Sequence, residues 1–108
     1  MVRSLSEAEL SARKTLAELA RRIPLRCAYL FGSYATGTAD EDSDIDLAVF
    51  SPAVEAMSVE EKVSLIAEVG HSVKEPVEIH LMSDRLLQDA TAADFAGFVS
   101  AHGCKVAV

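Results

Sequence analysis

The sequence has no tryptophan, and aromatic residues make up only 6% of its 108 residues. Small residues are abundant instead. Hydrophobic residues make up 50% of the sequence, and 17 of them are alanines. Aromatic rings usually contribute much of a core, so we expect a thin core of Leu, Val, Ile and closely packed backbone. The length leaves room for one domain, and we expect residues 1–108 to form a single one.

Long hydrophobic runs are also missing. The longest uncharged apolar stretch runs from Cys27 to Phe31, whereas a bilayer span needs about 20 residues, and the first residues lack the apolar centre of a signal peptide. We therefore expect a soluble, cytoplasmic protein that does not bind membranes. Cys27 and Cys104 lie in apolar runs without metal-ligand spacing, which predicts buried, reduced thiols.

Basic residues are scarce, and the formal net charge is -7. This balance argues against binding to nucleic acid, because phosphate backbones are held by clustered Lys and Arg. The charge is uneven: residues 1–26 carry six basic and three acidic side chains, and the rest carries four basic and fourteen acidic ones. Five of the acids fall within seven positions, namely Asp40, Glu41, Asp42, Asp44 and Asp46.

Hydrophobic periodicity predicts three main helices. Each begins with a capping pattern, and Pro24 ends the first helix. The capping pairs are Ser6 with Glu9, Ser58 with Glu61, and Thr91 with Asp94. The apolar faces are Leu16, Leu19, Ala20 and Ile23 in the first helix, Val59, Val63, Ile66 and Val73 in the second, and Phe95, Phe98, Val99 and His102 in the third.

Four short segments with β-forming residues predict strands at 26–31, 44–50, 76–82 and 104–108. The order is therefore helix, strand, loop, strand, helix, strand, helix, strand. We expect a four-stranded sheet covered by about three helices, which is an α/β or α+β fold. The pattern does not decide between parallel and antiparallel pairing.

Three acidic residues on these strands point to a metal site. Asp44 and Asp46 are two positions apart, so both carboxylates would lie on one face, where their repulsion favours a bound cation such as Mg²⁺. Glu78 shares a strand face with His80, and its carboxylate joins the first two if the strands are neighbours. A lone strand histidine is more often a packed side chain, and we leave His80 out of the predicted site.

Gly32 and Ser33 follow the first strand, where backbone amides and a hydroxyl could hold phosphate oxygens. Other motifs fit poorly. Thr38 occupies the position of the essential lysine of a phosphate-binding P-loop. The acidic run resembles the start of a calcium-binding EF-hand, but Ile45 and Ser51 replace the required glycine and glutamate. Asp40, Glu41 and Asp42 are interpreted as a solvated turn.

Residues 32–37 (GSYATG) and 43–49 (SDIDLAV) resemble the G-S-x-A-R-G and S-D-I-D-L-x-V signatures of the minimal nucleotidyltransferases. These form the small branch of the DNA polymerase β superfamily, and the resemblance covers nearly the whole chain. A glycine-serine pair alone is a weak signal. The same pair followed by the D-x-D motif is specific.

The resemblance implies a mixed four-stranded nucleotidyltransferase sheet and transfer of AMP from ATP to a hydroxyl group. Asp44, Asp46 and Glu78 would hold two Mg²⁺ ions, while Gly32 and Ser33 would hold the β- and γ-phosphates. It also implies an antitoxin role, with a tyrosine of a helical HEPN-type toxin as acceptor, and a homo- or hetero-oligomer.

Two residues depart from the family pattern: Thr36 replaces an arginine, and Glu78 replaces an aspartate. They leave open an alternative, in which a weak or degenerate nucleotidyltransferase-fold module neutralises its partner by binding alone. Modification of a small molecule is a third hypothesis. The basic first helix is either a partner surface or ordinary solvated charge.

Overall fold

The computed structural model describes residues 4–32, 44–88 and 95–106. The predicted order of helices and strands is confirmed, with a 3-10 turn and a short third helix that the sequence pattern did not predict. The elements are α1 (Leu5–Ala20), β1 (Cys27–Phe31), β2 (Ile45–Ser51), the 3-10 turn (Val54–Ala56), α2 (Val59–Val73), β3 (Val77–Ser83), α3 (Arg85–Gln88), α4 (Phe95–His102) and β4 (Cys104–Val106).

The four strands form one mixed sheet in the order β3-β2-β1-β4. β1 is antiparallel to both of its neighbours, whereas β2 and β3 run parallel. A parallel pair needs a long crossover, and α2 provides it between β2 and β3. The protein therefore has an α+β fold with β2 in the interior of the sheet, which brings the two strands with predicted site residues side by side.

The two faces of the sheet carry separate clusters of buried side chains. Helices α1 and α2 cover one face, which includes Leu30, Leu47 and Val49. Helix α4 packs on the other face, which includes Ala48 and Phe50. β2 is buried on both faces, which explains its continuous apolar run. Since alternate residues of a strand share a face, Asp46 lies on the α4 side.

Helix α1 begins and ends earlier than the sequence predicted. Its N-cap is Ser4, which accepts the backbone N–H of Glu7 at 3.1 Å, so the prediction of Ser6 with Glu9 is wrong. The helix ends at Ala20, and Ile23 lies beyond it as a half-buried residue packed against the core.

Helix α2 has the predicted capping box. Ser58 accepts the Glu61 N–H at 3.1 Å, and its own N–H donates to the Glu61 carboxylate at 3.2 Å. The predicted apolar face is partly wrong, because Val59 and Val63 are exposed. The buried residues are Leu65 and Val69, with Ile66 and Val73 packed beside them. The predicted cap at Thr91 and Asp94 lies outside the described residues.

The two cysteines are free, as predicted. Cys27 is buried on the α4 side of the sheet, where burial raises the pKa of its thiol. Cys104 is only half-buried. None of the helices in the described segments is long and apolar enough to span a membrane.

Candidate functional site

The strand register places Asp46 directly beside Glu78. The two residues are paired across the parallel β2–β3 ladder, and paired residues in such a ladder project to the same side of the sheet. Both lie near the starts of their strands. The structure therefore brings together two of the three carboxylates singled out in the sequence.

The third member of this cluster is His80, which is not among the predicted site residues. Its Nε2 lies 3.5 Å from Oδ1 of Asp46 and 3.9 Å from Oε1 of Glu78. One ligand atom from each of the three residues lies within 4.8 Å of the other two. The alternation on β3 already placed His80 on the face of Glu78. What it could not show is that the imidazole reaches across to β2.

The imidazole of His80 is held by its neighbours on the sheet. Its register partner on β2 is Ala48, a fully buried residue. The ring meets that of Phe31 on β1 edge-on, with the centroids 5.0 Å apart and the planes at 64°. These contacts fix the ring between β1 and β3, with Nε2 near the carboxylates.

Gly32 approaches the same carboxylate from β1. Phe31 is the register partner of Asp46, so the next residue along β1 passes close to the Asp46 side chain. Gly32 has a φ of +74°, and a Cβ built on it would lie only 2.6 Å from Oδ2 of Asp46. Both the left-handed backbone and the lack of space require glycine here.

The other two predicted residues are placed differently. Asp44 is exposed and precedes β2, and within the described part of the chain it does not belong to the three-residue group. It lines a surface cavity of about 440 Å³ together with Glu75 and Glu78. Ser33 lies outside the described residues, as does Thr36.

Solvent reaches the cluster. The side chains of Asp46, His80 and Glu78 are 26%, 35% and 57% exposed. A solute or metal ion can therefore approach the two carboxylates, whereas the Nε2 atom of His80 is itself buried behind them. The carboxylates give this end of the sheet a negative charge that attracts a cation.

A comparison with protein families identifies the fold. Residues 14–92 match the family model described as Polymerase beta, Nucleotidyltransferase. The chain belongs to this family. The match includes the segment with the glycine-serine pair, the D-x-D motif at the start of β2 and the acidic residue on β3. A search of curated proteins returned no match.

Solved structures show the same fold. A candidate nucleotidyltransferase from Sulfolobus solfataricus is 22% identical with a TM-score of 0.62, over 81% of this chain and 80% of the other. A toxin–antitoxin complex solved with AMP-PNP is 26% identical with a TM-score of 0.59, over 86% of this chain and 69% of the other. The complex of tri-AMPylated Shewanella oneidensis HEPN toxin with MNT antitoxin is 23% identical with a TM-score of 0.56, over 91% of this chain and 70% of the other.

The donor set of the cluster fits a divalent cation. Asp46 and Glu78 supply hard carboxylate oxygens of the kind that bind Mg²⁺, and the separation of the ligand atoms is within the span of one coordination sphere. His80 adds a nitrogen donor, which Mg²⁺ sites seldom include. The cluster can therefore hold the metal that nucleotidyltransferases typically use.

Proposed function

We propose that this protein is a Mg²⁺-dependent nucleotidyltransferase that transfers AMP from ATP to a tyrosine hydroxyl of a HEPN-type toxin, as an antitoxin. Asp44, Asp46 and Glu78 hold two Mg²⁺ ions, and Gly32 and Ser33 hold the β- and γ-phosphates. When bound, Mg²⁺ would neutralise phosphate charge and favour ionisation of the acceptor hydroxyl.

The reaction breaks one bond and forms another at the α-phosphorus. The tyrosine oxygen attacks this atom, and the bond to the bridging oxygen breaks, so that pyrophosphate leaves with that oxygen. The tyrosine proton is lost to Glu78 or to water. The chain's own residues orient the nucleotide and offer the carboxylate that can accept the proton.

The observation that carries this proposal is the juxtaposition of Asp46 and Glu78, paired across β2 and β3 with their ligand atoms inside a 4.8 Å group. Gly32 supports it, because its backbone passes beside the Asp46 carboxylate at the site proposed for the phosphates. The complexes with AMP-PNP and with a tri-AMPylated HEPN toxin support the nucleotide and the partner.

The test uses a HEPN-type toxin as acceptor and ATP labelled at either the α- or the γ-phosphate. We expect label on the toxin from the α-phosphate alone, and none after Tyr→Phe substitution of the acceptor. Asp46→Asn and Glu78→Gln should each slow labelling by at least about a hundredfold, since each removes a carboxylate that would hold the metal ion whose charge stabilises the transition state.

The matched control is Glu60→Gln, which removes one carboxylate from an exposed position on α2. It should label the toxin at the wild-type rate. A folded wild-type protein that neutralises the toxin without labelling it would contradict the proposal and favour the binding module instead.

A further inference from the structure

His80 changes the chemistry of the candidate metal site. Its Nε2 is 3.5 Å from an oxygen of Asp46 and 3.9 Å from an oxygen of Glu78. A divalent ion separates neighbouring ligand atoms by roughly 3 Å and opposite ones by roughly 4 Å. These two separations fall in this range and all three ligand atoms lie within 4.8 Å of one another, so side-chain rotations could bring them into contact with one ion.

The position of the imidazole is built into the sheet. Ala48, a fully buried residue, is the register partner of His80 on β2, and the edge-on contact with Phe31 supports the ring from β1. Asp46 in turn is bounded by Gly32, whose missing Cβ leaves room for the carboxylate. Three strands thus contribute to one arrangement, in which two carboxylates and one imidazole surround the same point.

A nitrogen donor alters which ion such a site prefers. Mg²⁺ favours oxygen ligands and gives up its water reluctantly. Divalent transition metals bind imidazole more readily than Mg²⁺ does, and Mn²⁺ is the one among them that shares the preference of Mg²⁺ for carboxylates. The donor set of Asp46, Glu78 and His80 therefore suits Mn²⁺ better than Mg²⁺.

We infer that His80 is a third protein ligand, through Nε2, to a metal ion bound by Asp46 and Glu78, and that it raises the affinity of this site for Mn²⁺ while Mg²⁺ can still occupy it. The inference rests on the proposed function because it uses two of the same carboxylates. It adds a ligand and a metal preference that the family resemblance does not imply.

The competing interpretation is that His80 is a protonated side chain paired with the two carboxylates. An imidazolium has no lone pair on Nε2 to offer a metal, and its positive charge would occupy the place of the ion. The two interpretations differ in one measurable respect: only a ligand gives direct coupling between the imidazole nitrogen and a bound metal ion.

The first measurement is a titration with Mn²⁺. Binding is monitored by electron paramagnetic resonance, in which the sharp signal of free Mn²⁺ disappears as the ion binds. His80→Gln should weaken Mn²⁺ binding by roughly tenfold or more. Removing a residue that only orients a metal ligand already lowers metal affinity by about this factor, and removing the ligand itself should lower it at least as much. Mg²⁺ affinity, measured by competition, should change by less than about threefold because Mg²⁺ gains little from the nitrogen.

The matched control is His71→Gln, which removes an exposed histidine on α2. It should leave both affinities unchanged. Equal Mn²⁺ affinity in His80→Gln and in wild type would overturn the inference.

The second measurement reads the nitrogen directly. Electron spin-echo modulation of bound Mn²⁺ should show coupling to ¹⁴N in the wild-type protein and in His71→Gln, and none in His80→Gln. Bound Mn²⁺ without this coupling in wild type, or with coupling that persists in His80→Gln, contradicts ligation by His80. A merely structural role for the ring does not produce the coupling.

Titration of ATP with Mg²⁺ into wild type separates this inference from the proposed function. Binding of ATP without any ¹⁴N coupling to Mn²⁺ overturns the inference and leaves the function supported. Nitrogen-coupled Mn²⁺ in a protein that binds no ATP supports the metal ligand and counts against the function.

Discussion

Gly32 links backbone conformation to the geometry of the site. Its φ of +74° is one that residues with a Cβ rarely adopt, and the space a Cβ would need lies 2.6 Å from Oδ2 of Asp46. The residue type follows from the site, because any side chain at this position would displace the carboxylate on β2.

We expect Gly32→Ala to weaken ATP binding in the presence of Mg²⁺ by about tenfold or more, because the Asp46 carboxylate must turn away from its present position. The left-handed backbone adds a cost of roughly 1–2 kcal/mol to stability. Calorimetric titration measures the first effect, and thermal unfolding measures the second.

Gly70→Ala is the matched control. Gly70 lies in α2, and a methyl group added there would meet nothing within 4 Å, so alanine should keep ATP binding and stabilise the helix by up to about 1 kcal/mol. Unchanged ATP affinity in Gly32→Ala would show that the Asp46 carboxylate need not stay where the structure has it.

The residues of the site could be predicted only in part. Asp46 and Glu78 stand out because charged groups on apolar strands are costly without a partner. The parallel register that pairs them could not be read from alternation, which gives the face of a strand but not its neighbour. His80 was missed for the same reason, since its distance to Asp46 depends on that register.

At the scale of the helices, overlapping patterns explain the errors. The segment 4–9 (SLSEAE) contains two capping patterns, Ser4 with Glu7 and Ser6 with Glu9, and local sequence does not choose between them. The structure uses the earlier pair. At its other end, α1 stops at Ala20, before Pro24.

Helix α2 likewise carries two apolar stripes. Val59 and Val63 fit helical spacing, but the stripe with Leu65 and Val69 is the one that packs on the sheet. The larger leucine, together with Ile66 beside it, provides more apolar area to bury. Packing against the sheet therefore decides which stripe becomes the core face.

A pair of identical substitutions tests this orientation of α2. Val69→Ala should lower the free energy of unfolding by roughly 1–3 kcal/mol, because it leaves a cavity at a fully buried position. Val63→Ala should change it by less than about 0.5 kcal/mol, since Val63 is exposed. Urea denaturation of both variants gives the comparison, and the reverse ranking would contradict the orientation described.

At the scale of the whole molecule, the uneven charge has a structural explanation. Basic residues of α1 and of the turn after it form ion pairs with acidic residues of this chain. Arg22 contacts Glu18 and Glu68, and Lys14 contacts Glu75. These pairs favour the interpretation of the basic helix as solvated, internally balanced charge. The acidic cluster on β2 and β3 has His80 as its nearest basic side chain among the described residues.

The fold and the family were within reach of the sequence, because the element order, the glycine-serine pair and the D-x-D motif agree with one another. The direction of strand pairing could not be predicted from the sequence, since it depends on contacts between segments far apart in the chain. β1 pairs with β4 across most of the sequence, for example.

The most direct test of the account is a calorimetric titration of ATP, with and without Mg²⁺, into wild type and into Asp44→Asn combined with Asp46→Asn. The control combines Glu60→Gln with Asp84→Asn, which removes two negative charges away from the β2 carboxylates. We predict binding that requires Mg²⁺ in wild type and control and is lost in the Asp44 and Asp46 variant. Absence of binding in folded wild type, or equal binding in all three proteins, would contradict a nucleotide and metal site at these carboxylates.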